Sequence, residues 1–381
     1  MDEGQRIVID GRMLMPQMTG VGRYLLGLAT GLSQLQSEHH YELWLQAGLP
    51  AEHPVWALSS RGITLRQLPI RHMDLRGQWV LPAQLWRQSP DLLHYPHFDL
   101  PWLAPGRVVA TIHDLKYIAH PGFFPQVSRL KRLVMLLMMR FTVHRARHVI
   151  AVSHNTRQDI IQRLGLPESK ITVIPEGVNM DDYQAPPPAR IEALRQRYRL
   201  GEHYILFVGE RRPHKNLTGL LKAFVAFQAM VGHSYQLIIA GKTYSDYQEP
   251  ERLAESLGLQ DRVCFIGSPP DSDLPLLYHS ADAFCLFSFY EGFGLPVLEA
   301  MASGTPVVAA SLTSLPEVVG EAGLLVPPDQ PEQAALALTQ LVPGGQLRQQ
   351  CIERGLERAR QFTWLSCARQ TLDVYLEAIR S

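Results

Sequence analysis

The sequence predicts an α/β chain of two domains, each a parallel sheet covered by helices, with a central cleft where the domains face each other. Three observations predict it. Short apolar runs of strand length alternate with longer segments of helical period through most of the 381 residues, the pattern of parallel sheets buried on both faces. Each run is read as ending in small or polar residues, as strands do where open α/β sheets receive ligands. The alternation is interrupted by QAPPPARIEALRQRY (184–198), whose three consecutive prolines stiffen the chain before a helix restarts near Arg190. This places a first domain over 1–183 and a second over 190–361.

In order, the first domain reads as strand RIVID (6–10), a helix over 21–35, strand YELWLQ (41–46), and short strands in DLLHYP and RVVATIHD near 92 and 108. HVIAVS (148–153) and KITVIPEG (170–177) complete its sheet. The second domain reads as HYILFVGE (203–210), a helix over 216–230, YQLIIAGK (235–242), RVCFIG (262–267), ADAFCLFS (281–288), TPVVAA (305–310) and GLLVP (323–327). Valine, isoleucine and aromatic residues bounded by glycine or polar residues favour strands in these runs. Amphipathic helices follow over 331–342 and 346–381, and the last, about 362–381, is expected to pack back on the first domain.

Composition narrows the function. Lys plus Arg and Asp plus Glu are both 36, so no net field favours a nucleic-acid backbone. The four cysteines show no metal-ligand spacing and read as packing thiols of a reducing compartment. The acidic start MDEGQ lacks the basic-then-apolar pattern of a secretory signal, and no apolar run reaches the ~18 residues that span a bilayer. A cytoplasmic protein is expected, soluble or peripheral at the inner face of the membrane.

The stretch FYEGFGLPVLEAMASGTPVVA (289–309) carries the chemistry. A glycine loop follows a strand, and Pro296 sits where the first helical turn needs no N–H. The free amides of Phe293, Gly294 and Leu295 at the positive end of the helix dipole suit a phosphate. Glu291 and Glu299 repel phosphate but accept hydrogen bonds from hydroxyls. A ligand with both parts, such as a sugar nucleotide, satisfies the stretch; first-turn acids and Gly-Pro turns also occur for stability alone. VGERRPHKN (208–216) brings Arg211, Arg212, His214 and Lys215 to another strand end, where cations clamp a diphosphate and stabilise its departure; the alternative is a solvated loop of basic residues, and the placement at a strand end favours function.

Between the first strand and first helix, MTGVGRY (18–24) sets Gly20 and Gly22 where a ligand can approach the backbone. It is no dinucleotide fingerprint, since Leu25 stands where G-x-G-x-x-G needs glycine, which disfavours a nicotinamide dehydrogenase. TIHD (111–114) puts His113 at a strand end; His94 and His97 are left out of the site. SRLKRLVMLLMMRFTVHRARH (128–148) joins an apolar run to cations. It reads either as a helix lying on an anionic membrane surface or as a buried helix with basic ends.

EGFGLPVLE followed by AMASGTPVVA resembles the signature of retaining glycosyltransferases of the GT-B fold, family 4. TGVGRY, TIHD, AVSHNTRQDI, ITVIPEGVN, VGERRPHKN and SLPEVVGEAG extend the resemblance in order along most of the chain. TGVGRY, TIHDL and PHKN are most similar to bacterial mannosyltransferases of surface-polysaccharide assembly. The resemblance implies two Rossmann-like domains, the second for the donor and the first for the acceptor. It implies that Glu299 meets the ribose, Glu291 the donor sugar, and the amides at 293–295 the sugar and diphosphate. It matches Lys215 to the diphosphate lysine, His113 to the histidine near the reacting carbon, and Gly20 and Gly22 to the loop near the donor phosphates. The family often has arginine where this chain has Glu210 and, in many members of the subset, where it has His214; Arg211 is taken as the substitute, with Arg212 second. The implied reaction moves a hexose, mannose from GDP-mannose favoured, to a hydroxyl of a glycan or lipid-linked oligosaccharide, with retention and without metal or cofactor. Two alternatives stay open: an epimerase or phosphorylase on the same fold, and a non-enzymatic sugar-nucleotide or glycan-binding protein.

Overall fold

The computed structural model describes residues 4–232, 235–342 and 344–381; the first three residues of the MDEGQ start lie outside them. The chain divides into two compact units: Met1–Pro121 with Pro125–Gly177 and Phe362–Ser381, and Val178–Gln361 with Gly122–Phe124.

The first unit holds strands β1 (Arg6–Asp10), β2 (His40–Gln46), β3 (Thr64–Leu68), β4 (Leu92–Tyr95), β5 (Val108–Ile112), β6 (His148–Ala151) and β7 (Ile171–Val173). They form one sheet in the order β3-β2-β1-β4-β5-β6-β7, and every pairing is parallel. Successive residues of β1 feed opposite faces, as the two-residue strand period requires. Ile7 and Ile9 pack with Tyr24, Leu28, Leu43 and Tyr375. Val8 packs with Trp44, Leu93, Tyr95 and Val149. Strand β3 escapes the sequence reading because TLRQL is an edge strand with only its last residue buried, and its apolar signal is correspondingly weak.

The second unit holds β8 (His203–Val208), β9 (Tyr235–Ala240), β10 (Val263–Gly267), β11 (Ala283–Leu286), β12 (Val307–Ala310) and β13 (Leu324–Val326). Their order is β10-β9-β8-β11-β12-β13, again parallel. Strand order reverses direction at β1/β4 in the first sheet and at β8/β11 in the second. Such switch points open a crevice at the carboxyl ends of the strands, and the loops after β8 and β11 are those singled out by sequence.

The single helix expected over 346–381 is two. Gln346–Gln361 ends, and Thr363 starts Trp364–Arg380 by accepting Ser366 N–H at 3.1 Å on its hydroxyl, a serine/threonine cap. The second of these helices lies in the first unit against Gly20–Gln34. Their approach depends on small residues: a Cβ on Gly27 would stand 2.2 Å from the Trp364 ring, and one on Gly31 would stand 2.3 Å from the Trp364 carbonyl oxygen. Among the described residues no helix is long and apolar enough to cross a membrane.

Candidate active site

At the carboxyl end of β8 the chain turns through Pro213–Lys215 and enters the helix Leu217–Val231. Asn216 makes that junction in the left-handed region, φ 54°, and its Oδ1 accepts Gly219 N–H at 3.1 Å. Asn216 Nδ2 also donates to the Pro328 carbonyl at 2.7 Å. These bonds fix the backbone beside Lys215. Its Nζ donates to Glu291 Oε1 at 2.6 Å, across 76 positions of sequence, and each side chain is 10% exposed.

Glu291 follows β11 and is held from several sides. Ser288 Oγ donates to the same Oε1 at 2.6 Å, and Glu291 N–H donates to Thr313 Oγ1 at 3.1 Å. Ser314 Oγ lies 3.1 Å from the Glu291 carbonyl and 2.8 Å from that of Phe293, and its one proton serves either. Two donors therefore pin one carboxylate oxygen. Glu291 Oε2 accepts no hydrogen bond from the described residues and is the oxygen available to a ligand hydroxyl. A buried Lys–Glu pair is a costly arrangement to maintain for stability alone, because desolvation offsets most of the attraction.

Gly294 has φ 111° and opens the helix Leu295–Ala302 with no side-chain cap; a Cβ there would be strained and would stand 2.7 Å from Leu315 Cδ2. The N–H groups of Gly294 and Leu295 find no acceptor among the described residues. They are first-turn donors of the kind that bind anions. Phe293 is buried at the same turn. Glu299 lies on the helix, 3% exposed, and its Oε2 accepts the Tyr278 hydroxyl at 2.8 Å.

The two arginines have carboxylate partners of their own. Arg211 Nη1 donates to Glu251 Oε1 at 2.5 Å, with its guanidinium 5.1 Å from the Phe265 ring centre. Arg212 bonds both Asp246 oxygens at 3.0 Å and lies 3.4 Å over the Tyr244 ring. Neither shares a hydrogen bond with Lys215 or Glu291. At the two positions where the family often carries arginine, Glu210 accepts the Tyr244 hydroxyl at 3.1 Å and His214 is 2% exposed with Nε2 3.8 Å from Glu210.

In the first unit, Gly20 and Gly22 fall inside the first helical turn rather than before it. Thr19 Oγ1 accepts Gly22 N–H at 3.1 Å, so that amide is already used by the cap. A Cβ on Gly20 would meet nothing within 4 Å. His113 follows β5; its Nδ1 lies 2.9 Å from Glu176 Oε1, and the Tyr24 ring meets it edge-on at 4.7 Å. His113 Nε2 is buried with no hydrogen-bond partner among the described residues. Beneath it, Thr111 Oγ1 joins the Tyr24 hydroxyl at 3.0 Å to His94 Nε2 at 2.8 Å, and His94 Nδ1 meets the Tyr375 hydroxyl at 2.6 Å. Burial, reinforced by His113, lowers His94 to about 3, so it is a neutral core group.

Glu176, Ser288, Tyr278 and Thr313 were not singled out by sequence reasoning. For Glu176 a signal existed, since ITVIPEGVN places a carboxylate just past a strand, the same placement that marked His113. His72, His97 and Asp99 bring three potential metal ligands within 4.8 Å, but Asp99 Oδ1 accepts hydrogen bonds from both rings and from the Tyr95 hydroxyl. Burial alone would raise the Asp99 carboxyl, and the two histidine hydrogen bonds outweigh it, holding the group far below the usual carboxylate range. A D-x-D spacing does occur, at Asp271 and Asp273, and Asp273 Oδ2 is engaged at 2.8 Å by both Arg197 and the Tyr198 hydroxyl.

The family model described as Glycosyltransferase Family 4 matches residues 18–182, and that described as Glycosyl transferases group 1 matches 191–358. A relative named O-antigen chain mannosyltransferase B, from Escherichia coli, is 32% identical over 372 residues, covering 94% of this chain and 96% of its own. The chain is a family 4 glycosyltransferase with the GT-B fold. The Escherichia coli serotype-specific mannosyltransferase WbdA is 28% identical to it over 299 residues, spanning 75% of the glycosyltransferase and 35% of WbdA. The solved structure of Anabaena HepE in complex with UDP and glucose superposes with a TM-score of 0.77 at 22% identity, covering 98% of this glycosyltransferase and 100% of HepE. Sucrose-phosphate synthase from Thermosynechococcus elongatus superposes with a TM-score of 0.78 at 22% identity, covering 98% of each chain.

Proposed function

We propose that this glycosyltransferase moves mannose from GDP-mannose to a hydroxyl of a glycan or lipid-linked oligosaccharide, in the cytoplasm at the inner face of the membrane. The observation that carries the reading is the Lys215–Glu291 pair, 2.6 Å apart at the switch point of the second sheet. It sets a fixed cation and an available carboxylate oxygen beside a helix N-terminus. The cation and the amides of Gly294 and Leu295 take the diphosphate, and Glu291 Oε2 takes sugar hydroxyls. Choice of mannose follows the names of the relatives.

Transfer proceeds with retention. The bond from the anomeric carbon to the leaving phosphate breaks, and the acceptor oxygen bonds that carbon on the same face. The acceptor proton passes to a phosphate oxygen, releasing GDP. Lys215 stabilises the charge on the departing diphosphate, which makes electrostatic stabilisation the protein's main contribution and leaves no step that needs a metal. By family resemblance His113 meets the donor near its reacting carbon, with Gly20 and Gly22 near the phosphates. Glu176 orients the His113 ring.

The test is acceptor-dependent release of nucleoside diphosphate, measured with GDP-mannose, UDP-glucose and an N-acetylhexosamine donor in buffer containing a chelator. The expected result is faster GDP release with a mannan-type acceptor and none of that stimulation with uridine donors. Sugar interconversion without an acceptor, or turnover that requires inorganic phosphate, assigns an epimerase or phosphorylase instead. Donor binding with no turnover assigns a binding protein, the reading that Glu210 and the buried His214 favour.

A further inference from the structure

We propose that the helix Arg129–Arg145, with the adjoining turn at Trp102 and Leu103, docks this protein on the surface of an anionic phospholipid bilayer. The inference is independent of which donor or acceptor the enzyme uses. Sequence alone offers a surface helix or a buried one with basic ends, because the apolar residues of this segment are nearly continuous. The fold separates them into two opposite faces. Met135, Met139, Thr142 and Val143 are buried, and this face completes the core of the first unit. Leu130, Leu133, Val134 and Leu137 follow the i, i+3, i+4, i+7 spacing of one helical stripe, yet are 71%, 51%, 47% and 55% exposed.

The stripe continues beyond the helix surface. Phe141, one turn past Leu137, packs on Trp102 with ring centres 5.9 Å apart, and Trp102 and Leu103 are themselves 67% and 56% exposed. Arg145 ties this turn region to the helix by donating to the carbonyls of Ala104 at 2.9 Å and Gly106 at 3.0 Å. A contiguous exposed apolar surface of this kind marks an interaction site rather than ordinary scatter.

Charge identifies the occupant. The helix contains no Asp or Glu. At 100° per residue, Arg129 and Arg140 flank the stripe on one side and Lys131 flanks it on the other, and none of the three forms an ion pair with a described residue. A second copy of the chain pairing through this face about a two-fold axis would set these cations against their own kind. An anionic bilayer accepts both parts at once: the leucines enter the acyl boundary, the cations face the headgroups, and Trp102 lies at the interface.

The experiment is co-sedimentation of the full chain with vesicles of phosphatidylcholine alone and of phosphatidylcholine mixed with phosphatidylglycerol, at low and raised salt. The expected result is binding to the anionic vesicles only, weakened by salt. Substituting Arg129→Gln, Lys131→Gln and Arg140→Gln lowers the partition coefficient by about fivefold per cation. Leu133→Ser with Leu137→Ser, at exposed positions, also loses vesicle binding; in both variants the melting temperature and GDP-mannose binding stay at the wild-type level. Absence of vesicle binding by the wild type, equal binding to neutral vesicles, or full binding by folded variants overturns the proposal. A wild-type dimer that the leucine variant converts to monomer, without vesicle binding, also overturns it and assigns the face to a second copy.

Discussion

The carboxyl edges of the two sheets hold their polar groups in different ways. In the second unit the groups are charged and paired: Lys215 with Glu291, Arg211 with Glu251, Arg212 with Asp246. In the first unit His113 leans on Glu176 and rests on a buried chain of neutral groups, Tyr24, Thr111, His94 and Tyr375, that reaches into the C-terminal helix. Ion pairs at a strand edge suit a ligand that exchanges charge with the protein, as a diphosphate does. A neutral buried network fixes one ring in place. The first arrangement is sensitive to losing either partner, and the second to acid.

The largest expected effect comes from breaking the pair. Lys215→Ala and Glu291→Ala each lower transfer by about tenfold or more, measured as acceptor-dependent GDP release. Each also lowers stability, since it strands the partner's buried charge, at about 3–5 kcal/mol. Lys215→Met combined with Glu291→Leu recovers most of that stability in a denaturant titration but none of the activity. Recovery of both would reduce the pair to a structural feature and erase the contrast between the edges.

The buried network is expected to answer to pH. His94 in the folded chain excludes its proton down to about pH 3, whereas the unfolded chain binds it near pH 6.5. A depressed native value means that the stability is present in full above about pH 6.5 and is lost progressively as pH falls toward 3. The total is on the order of a few kcal/mol. In thermal melts across this window, His94→Gln should show a flatter dependence than the wild type.

Packing gives the next effect. Gly27→Ala forces a methyl against the Trp364 ring and should cost about 1–3 kcal/mol, whereas Gly20→Ala enters open space and should stay within about 0.5 kcal/mol. Loss of activity in a fully stable Gly20→Ala would then report close approach of a ligand at that position. A modest effect on activity is expected of Glu176→Gln, which weakens one charge-assisted hydrogen bond to His113 and should lower transfer by about fivefold, with partial recovery in Glu176→Asp. Unchanged transfer in Glu176→Gln would separate His113 from its carboxylate.

The contrast also explains what the sequence made legible. The strands and the loops after β8 and β11 were readable because each is a local signal: an apolar run, a glycine turn, a proline at the first helical turn, charges spaced along one loop. Their convergence was readable only by analogy, since Lys215 and Glu291 meet across 76 positions. The first unit's site depends almost wholly on such distant meetings. His113 and Glu176 are 63 residues apart, and His94 and Tyr375 are 281 apart; no periodicity announces either. Edge strand β3 was invisible because it buries little, and the break at Thr363 because one capping hydroxyl is a weak mark inside a long amphipathic pattern. The exposed leucine stripe was hidden for the opposite reason: two apolar faces on one helix read as a continuous run.

If Lys215 holds the diphosphate and Glu291 the sugar, as proposed, calorimetric titration with GDP and with GDP-mannose separates the two roles. Wild type should bind both ligands. Lys215→Ala should weaken both alike, and Glu291→Gln should keep the affinity for GDP while losing affinity for GDP-mannose. Equal affinities of all three proteins for both ligands, with their folds intact, would remove Lys215 and Glu291 from the donor site.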